Sequence, residues 1–173
     1  IRERLRLIYA NDAALDVTSS ILGGGKNSRL YKRLVYDTQM AQDVSVYQAS
    51  GVLGSSFQIV ITAMPGVPLS TIQQAVDEEL ARLRRDAPEP RELQRAINQI
   101  EASFYRQMER VDSYMGKANQ LNAYFAAGGG PDFFAEDLAR YTSLAASDIQ
   151  AAAVRWLPAD RRVELSVEPE VRR

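Results

Sequence analysis

The run Ile21-Leu22-Gly23-Gly24-Gly25-Lys26-Asn27-Ser28-Arg29-Leu30-Tyr31-Lys32-Arg33-Leu34 constrains this chain more than any other stretch. Two apolar residues close one helical pattern, three glycines interrupt it, and a second pattern starts at once with Leu30, Tyr31 and Leu34. The predicted unit is a helix, a loop and a helix. Residues without Cβ accept positive φ and let another backbone come close, so the loop either turns a corner or touches a ligand. Helix termination, with glycine just past the last turn, is the simpler reading. A phosphate cradle needs Gly-Lys followed by Ser or Thr, with a further Gly five residues before the second. Here Asn27 follows Gly25-Lys26 and Ser20 stands at the earlier glycine position, which excludes a nucleotide site at this loop.

The flanking patterns supply the layers. Ahead of the loop, Asn11 or Asp12 can cap a helix on which Ala14, Val17 and Ile21 form one row and Leu15, Thr18 and Leu22 the next, an apolar stripe suited to a sheet. Residues 5–9 alternate as a strand does, and so do residues 43–49 and 56–63. Gly51-Val52-Leu53-Gly54 between the last two predicts an antiparallel hairpin. Beyond Pro65-Gly66 the pattern turns helical. Ser70-Thr71-Ile72-Gln73 reads as a capping box, Pro90 as a first helical residue, and Leu93, Ile97, Ile100, Phe104, Met108 and Val111 as the stripe of the longest helix. Asp112 can cap a helix over residues 113–125, which a second triplet, Gly128-Gly129-Gly130, terminates. Pro131 and Asp132 open another, with Phe134, Leu138 and Tyr141 inward. Ser147-Asp148-Ile149-Gln150 is a second capping box, for a helix expected to bury Ile149, Ala153 and Trp156 and to stop before Pro158. Residues 162–167 alternate again, as a final strand returning to the sheet. Strands grouped against runs of helices argue for an α+β layer structure, one sheet with helices on one face, in a single domain over residues 1–173.

Composition narrows the chemistry. The 173 residues contain no Cys and no His, so the chain alone cannot build a thiolate or imidazole zinc site, a Ser-His-Asp or Cys-His triad, or a disulfide. Any chemistry of its own falls to carboxylates, Lys, Tyr or Ser. Against 22 Asp and Glu stand 21 Lys and Arg, a balance that draws the chain to neither nucleic acid nor an anionic membrane. No apolar run reaches the length of a membrane span. The pairs Glu78-Glu79, Asp132 with Glu136-Asp137, and Glu168 with Glu170 lack calcium-loop spacing and read as solvated faces, as does the arginine group Arg82, Arg84, Arg85, Arg91 and Arg95. Neither hairpin strand carries the paired outward aromatics that stack on bases. The first residue is Ile1 rather than Met, which suggests a piece of something longer.

Residues 23–37, Gly-Gly-Gly-Lys-Asn-Ser-Arg-Leu-Tyr-Lys-Arg-Leu-Val-Tyr-Asp, following a helix that reads Ala13-Ala14-Leu15-Asp16-Val17, resemble the pitrilysin and insulinase-like zinc metallopeptidases, the group that includes the mitochondrial processing peptidase. More narrowly, they resemble the second, non-metal-binding half of bacterial members, and the likeness runs from about Leu5 to Val167. It implies a four-stranded, mostly antiparallel sheet with helices layered on one face. The catalytic half of that family holds zinc through His-x-x-Glu-His on its first helix plus a distant Glu, with the Glu placed to take a proton from zinc-bound water. Residues 12–22 here, Asp-Ala-Ala-Leu-Asp-Val-Thr-Ser-Ser-Ile-Leu, offer no such ligand. The resemblance therefore implies a chamber-forming, substrate-holding domain with no catalytic or metal-binding residue of its own. It further implies that the zinc sits in a partner half, on the same chain or a separate subunit, and that the substrate is an unfolded peptide.

Carried over residue by residue, the substrate loop is Gly23, Gly24 and Gly25, with Asn27 and Ser28 as donors to a peptide backbone. The family's substrate-contacting Arg and Tyr fall at Val35 and Gln42, and neither is present; Tyr36 and Tyr47 lie nearby in sequence. That departure favours a rival reading, a structural or assembly subunit of the same fold without proteolytic duty. A self-contained carboxylate enzyme is a third reading, and a homodimer is left open. A periplasmic location is expected ahead of a cytoplasmic one, although absence of Cys does not decide it, since a domain of this size needs no disulfide in either place.

Overall fold

The computed structural model describes residues 11–51, 54–111, 116–126 and 130–168. Alternation builds the hairpin. Strands β1 (Ala41–Ala49) and β2 (Ser56–Ala63) pair antiparallel, with Val44 opposite Ile61, Val46 opposite Ile59 and Gln48 opposite Phe57. The register slips between Ala41 and Asp43, so Gln42 occupies a bulge. One face of the hairpin is covered by helix α1 (Asp12–Gly23), whose two rows are both buried: Ala14, Val17 and Ile21, then Leu15, Thr18 and Leu22. Thr18 sits in that apolar stripe because its hydroxyl donates to the Ala14 carbonyl at 2.7 Å, leaving no unpaired donor.

After the loop, helix α2 (Arg29–Tyr31) widens into a π-helical turn at Lys32–Asp37. Leu30 and Leu34 face the core. Helix α3 (Leu69–Arg85) follows the hairpin, and α4 (Pro90–Glu109) starts on its proline as the sequence predicts. Helices α5 (Lys117–Ala126), α6 (Phe134–Thr142) and α7 (Ala146–Trp156) complete the set. Helix α1 is central, touching β1, α2, α4, α6 and α7. Of the two predicted capping boxes, the first does not form: α3 begins at Leu69 behind Pro68, with no side-chain cap. At α7 the helix starts earlier than Ser147, and the Asp148 carboxylate accepts the Ala145 N–H at 2.8 Å.

Other expectations also need correction: Glu79 and Asp137, read as parts of solvated faces, are both buried, Glu79 against Arg33 and Asp137 against Tyr124 and Arg140. The sheet has two strands among the described residues, not four. The predicted strand over residues 5–9 lies outside them. Residues 162–167 are described and pair with no other described strand, and it is their polar side chains that are anchored. Arg162 pairs with Asp77 of α3, Nη2 to Oδ2 at 2.8 Å, and the Glu164 carboxylate accepts from Gln73 Nε2 at 2.6 Å. That tether lays the segment along α3 and turns Val163, Leu165 and Val167 to solvent. Finally, Trp156 is 48 % exposed rather than buried. Its ring is covered by the Arg155 guanidinium, 4.9 Å from the centroid, a surface cation–π contact.

Candidate functional site

The glycine loop is fixed at its base and open at its tip, and different chemistry does each job. A Cβ added at Gly23 would lie 2.5 Å from Val46 Cγ2 and 2.9 Å from the Val46 backbone nitrogen, so the last turn of α1 reaches β1 only because that side chain is missing. The Gly24 N–H returns to the Ser20 carbonyl at 2.8 Å, closing the helix. Gly25 has φ +88° and open space around it; the nearest atom to an added Cβ is Gln99 Nε2 at 3.8 Å. Its carbonyl accepts both the Ser28 N–H at 3.1 Å and the Ser28 hydroxyl at 2.7 Å.

Those bonds settle what each predicted site residue does in the fold. Ser28 is fully buried with its donors committed to Gly25, and acts as the clasp of the loop. Gly25, Lys26 and Asn27 are exposed, whereas Gly23 and Gly24 are half-buried. The far side is clamped by two arginines. Arg29 Nε and Nη2 each donate to a Glu92 oxygen of α4 at 2.7 Å. Arg33 Nη1 donates to Glu79 Oε1 at 3.1 Å and to the Ala75 carbonyl at 3.3 Å, while its Nη2 pairs with Glu78.

The positions where the resemblance puts the substrate-contacting Arg and Tyr are accounted for structurally. Val35 packs against the core, and Gln42 is the exposed bulge residue of β1. Tyr36 lies on the π-helical turn and is 76 % exposed. Tyr47 is spent on the hairpin, its hydroxyl donating to Gln58 Oε1 at 2.7 Å.

Beside the loop a cleft of about 360 Å³ opens between α1, α4 and β1. Asp16, Ser19, Ser20 and Gly24 line one wall, Gln99, Ser103 and Gln107 the other, and Val46, Ile100 and Phe104 give it an apolar lining. Ser20 Oγ donates across it to Gln99 Oε1 at 3.3 Å. The Tyr141 hydroxyl donates to Asp16 Oδ2 at 2.8 Å, joining residues 125 apart in sequence. One turn back on α6, Asp137 accepts from the Tyr124 hydroxyl at 2.9 Å and from Arg140 Nη1 at 2.6 Å.

Burial pushes the Asp16 carboxyl up from 3.8 to about 6; the Tyr141 hydrogen bond and the Arg140 charge pull it down without cancelling that, and Asp12 and Asp137 add to it. Both tyrosine hydroxyls are pushed up by burial and by the neighbouring carboxylates, and stay protonated donors. Because the folded chain holds the Asp16 proton more tightly than the unfolded chain, stability from this group is full below about pH 4 and is lost as pH rises through about 6. Asp16→Asn keeps an acceptor for Tyr141 and removes the charge. Discounted for partial exposure, its advantage at pH 8 is about 2 kcal/mol, vanishing near pH 4; urea midpoints of the two chains at both pH values measure it. Equal midpoints at pH 8 would show that Asp16 is solvated as well in the folded chain as in the unfolded one.

No group of three or more carboxylates close enough to hold a metal ion occurs among the described residues, and no helix there is long and apolar enough to cross a membrane. Helix α1 supplies one carboxylate to the cleft and no imidazole, a donor set that does not fit zinc.

The sequence pattern of the family described as the peptidase M16 inactive domain matches residues 8–100, more than half of the chain and including the loop, its clamps and both strands. This chain belongs to that family. Among curated proteins it is 29 % identical, over 104 residues, to YmxG of Bacillus subtilis (strain 168), described as an uncharacterized zinc protease; the match takes in 60 % of this chain and 25 % of YmxG. Among solved structures, the inactive peptidase domain of a proposed zinc protease from Bordetella parapertussis superposes with a TM-score of 0.79 at 22 % identity, over 93 % of this chain and 85 % of that one. A protease from Helicobacter pylori gives 0.74 at 21 % identity, over 86 % of this chain and 35 % of its own. The chain thus spans about a quarter to a third of the length of those two longer relatives. The inactive-domain fold, α+β with a small antiparallel sheet, is shared with the Bordetella domain. What sequence reasoning missed is the cleft: nothing local links Asp16 to Tyr141 or Ser20 to Gln99, and the one available signal was two carboxylates, Asp12 and Asp16, four apart on a helix otherwise rich in small and apolar residues.

Proposed function

We propose that this domain forms one side of a peptide-holding chamber whose other side is a zinc-bearing peptidase half, and that it holds the peptide at the glycine loop while the partner half hydrolyses it. The observation that supports this most is the contrast within the loop: a base immobilised by Gly23, Ser28 and the Arg29–Glu92 pair, under a tip at Gly25 to Asn27 that is exposed. A rigid, open stretch of backbone with few side chains is what a passing peptide main chain needs for hydrogen bonding without regard to sequence. This chain contributes positioning. The metal chemistry belongs to the partner half, through metal-activated water.

The test is reconstitution with a zinc-bearing partner half. Asn27→Trp with Lys26→Trp blocks the tip at exposed positions, so stability should stay within about 0.5 kcal/mol while kcat/KM for an unfolded peptide falls about tenfold or more. The rival reading, an assembly subunit, draws on Val35 and Gln42 standing in place of the family's contact pair. It predicts unchanged cleavage in the blocked variant, and that result would remove the loop from the mechanism.

A further inference from the structure

We infer that the cleft between α1 and α4 is a subsite for a basic side chain, lysine or arginine, of the bound peptide, with Asp16 as the counter-charge. This deepens the substrate-holding reading and rests on it for the source of the ligand, but the recognition chemistry stands on the cleft. Asp16 is the only ionisable carboxylate among the residues that line it, and no lysine or arginine is among them. The hydroxyl of Tyr141, which also lines the cleft, lies 2.8 Å from Oδ2 and fixes the carboxylate. Val46, Ile100 and Phe104 form the apolar wall, and Phe104 is itself held edge-on by Tyr141 and Phe134, with centroids 5.4 and 5.7 Å away. An apolar wall leading to one carboxylate suits a long aliphatic stem ending in a cation. Ser103 and Gln107 on the facing α4 wall, and Ser20 beside Asp16 on α1, can accept the remaining N–H donors.

Other ligand classes fit less well. An anion would meet a carboxylate with no cation beside it in the lining. A metal ion would find one carboxylate where it needs several. A wholly apolar side chain would remove water from the Asp16 carboxylate and offer it no hydrogen-bond donor beyond the Tyr141 hydroxyl it already has. Position supplies the link to a peptide: Gly24 is part of the cleft wall, so a main chain running over the loop tip passes its mouth.

The groups facing Asp16 set the pH dependence. From α1 comes Asp12, and from α6 come Asp137, Arg140 and Tyr141; the cleft-lining residues of α4 and β1 carry no charge. With the carboxyl poised at about 6, a proton and a cationic side chain compete for the same oxygens. Affinity for the cation should therefore fall about tenfold between pH 7.5 and pH 5, following the proton occupancy.

The experiment uses the 173-residue chain and blocked amino acids, so that neither the partner half nor cleavage is required. N-acetyl-arginine amide, N-acetyl-lysine amide and N-acetyl-citrulline amide are titrated at both pH values, with amide shifts followed by NMR. The expected result is that the two cations bind about tenfold more tightly than citrulline at pH 7.5. Shifts should centre on Ser19, Ser20 and Ser103, and Asp16→Asn should erase the preference. Citrulline binding as well as arginine, shifts centred elsewhere, or a preference that survives Asp16→Asn would each overturn the subsite. Should Asp16→Asn fail to fold, the comparison of arginine with citrulline on the wild-type chain, with its shift map, decides the matter. If the cations bind at the cleft while the blocked loop tip leaves cleavage unchanged, the subsite stands and the loop reading falls. Loss of cleavage in the tip variant without any cation preference is the reverse case.

Discussion

Gly23→Ala should destabilise the chain by about 2–3 kcal/mol, and Gly23→Val by more, although both replacements raise helix propensity. Alanine in place of glycine is worth at most about 1 kcal/mol in a helix interior, and Gly23 is the final helical residue, where the gain is smaller still. Against that stands a Cβ 2.9 Å from the Val46 nitrogen. The Val46 methyl could rotate away, but the backbone nitrogen belongs to the β1 ladder, opposite Ile59, and cannot yield without lifting α1 off the strand. Overpacking of this kind costs about 1–3 kcal/mol, occasionally more, so the clash wins. Gly25 makes the contrast. An added Cβ there makes only an ordinary contact, 3.8 Å from Gln99 Nε2, and the penalty comes from φ +88°, about 1–3 kcal/mol. D-alanine at Gly25 should therefore restore stability, whereas at Gly23 either enantiomer should be tolerated poorly. Chemical denaturation of the four variants measures this. A Gly23→Ala chain as stable as wild type would show that the approach of helix to strand is looser than the distances say. Replacing the whole triplet is accordingly a poor test of substrate handling, since it would damage the fold before it touched a peptide.

Glu92→Ala should cost about 3–4 kcal/mol, the largest loss expected from a single charged residue here. Arg29 and Glu92 are mostly buried, with 16 % and 15 % of their side chains exposed, and they make two hydrogen bonds of 2.7 Å. Arg29 Nη1 is already buried without a hydrogen-bond partner among the described residues. Removing Glu92 would leave a complete guanidinium in that state, and Glu92 is also what holds it most firmly protonated, so the charge cannot be shed. The double variant Arg29→Met with Glu92→Leu fills a similar volume without charge and should recover most of the loss. The pair also fixes the start of α2 behind the loop, so if the loop holds peptide as proposed, the single variant should lower cleavage by the reconstituted halves beyond its effect on stability. A loss under about 1 kcal/mol would place this pair with ordinary surface ion pairs and remove one of the two clamps.

Much of the fold is legible in local pattern because local pattern is what makes those elements. The two rows of α1 are buried as the spacing predicts, the hairpin pairs as its alternation predicts, and Pro90 opens α4. The misreadings share one cause. Residues 162–167 alternate as well as any strand, but alternation does not say which face will be held, and here Asp77 and Gln73 on α3 hold the polar one. Trp156 keeps helical spacing with Ile149 and Ala153, yet at the end of α7 it stays half exposed, with the Arg155 guanidinium over its ring. Ser28 is assigned as a donor to substrate through the family resemblance alone; in the fold it is buried and its hydroxyl is given to the Gly25 carbonyl, closing the turn.

By itself the sequence determined what this domain cannot be. Without imidazole or thiol anywhere in its 173 residues, it cannot by itself form a zinc centre of the peptidase kind, whatever the fold. It also determined the family, since a glycine triplet leading into Ser28-Arg29-Leu30 is a contiguous pattern that folding does not have to assemble. Tertiary structure alone decided which glycine is steric and which conformational, which arginines are clamps, and that Asp16 meets Tyr141 in the wall of a cleft. The physical reason is separation along the chain. A carboxylate acquires its pKa and its partner from groups brought close only when distant helices pack, and no local reading of residues 12–22 contains that information.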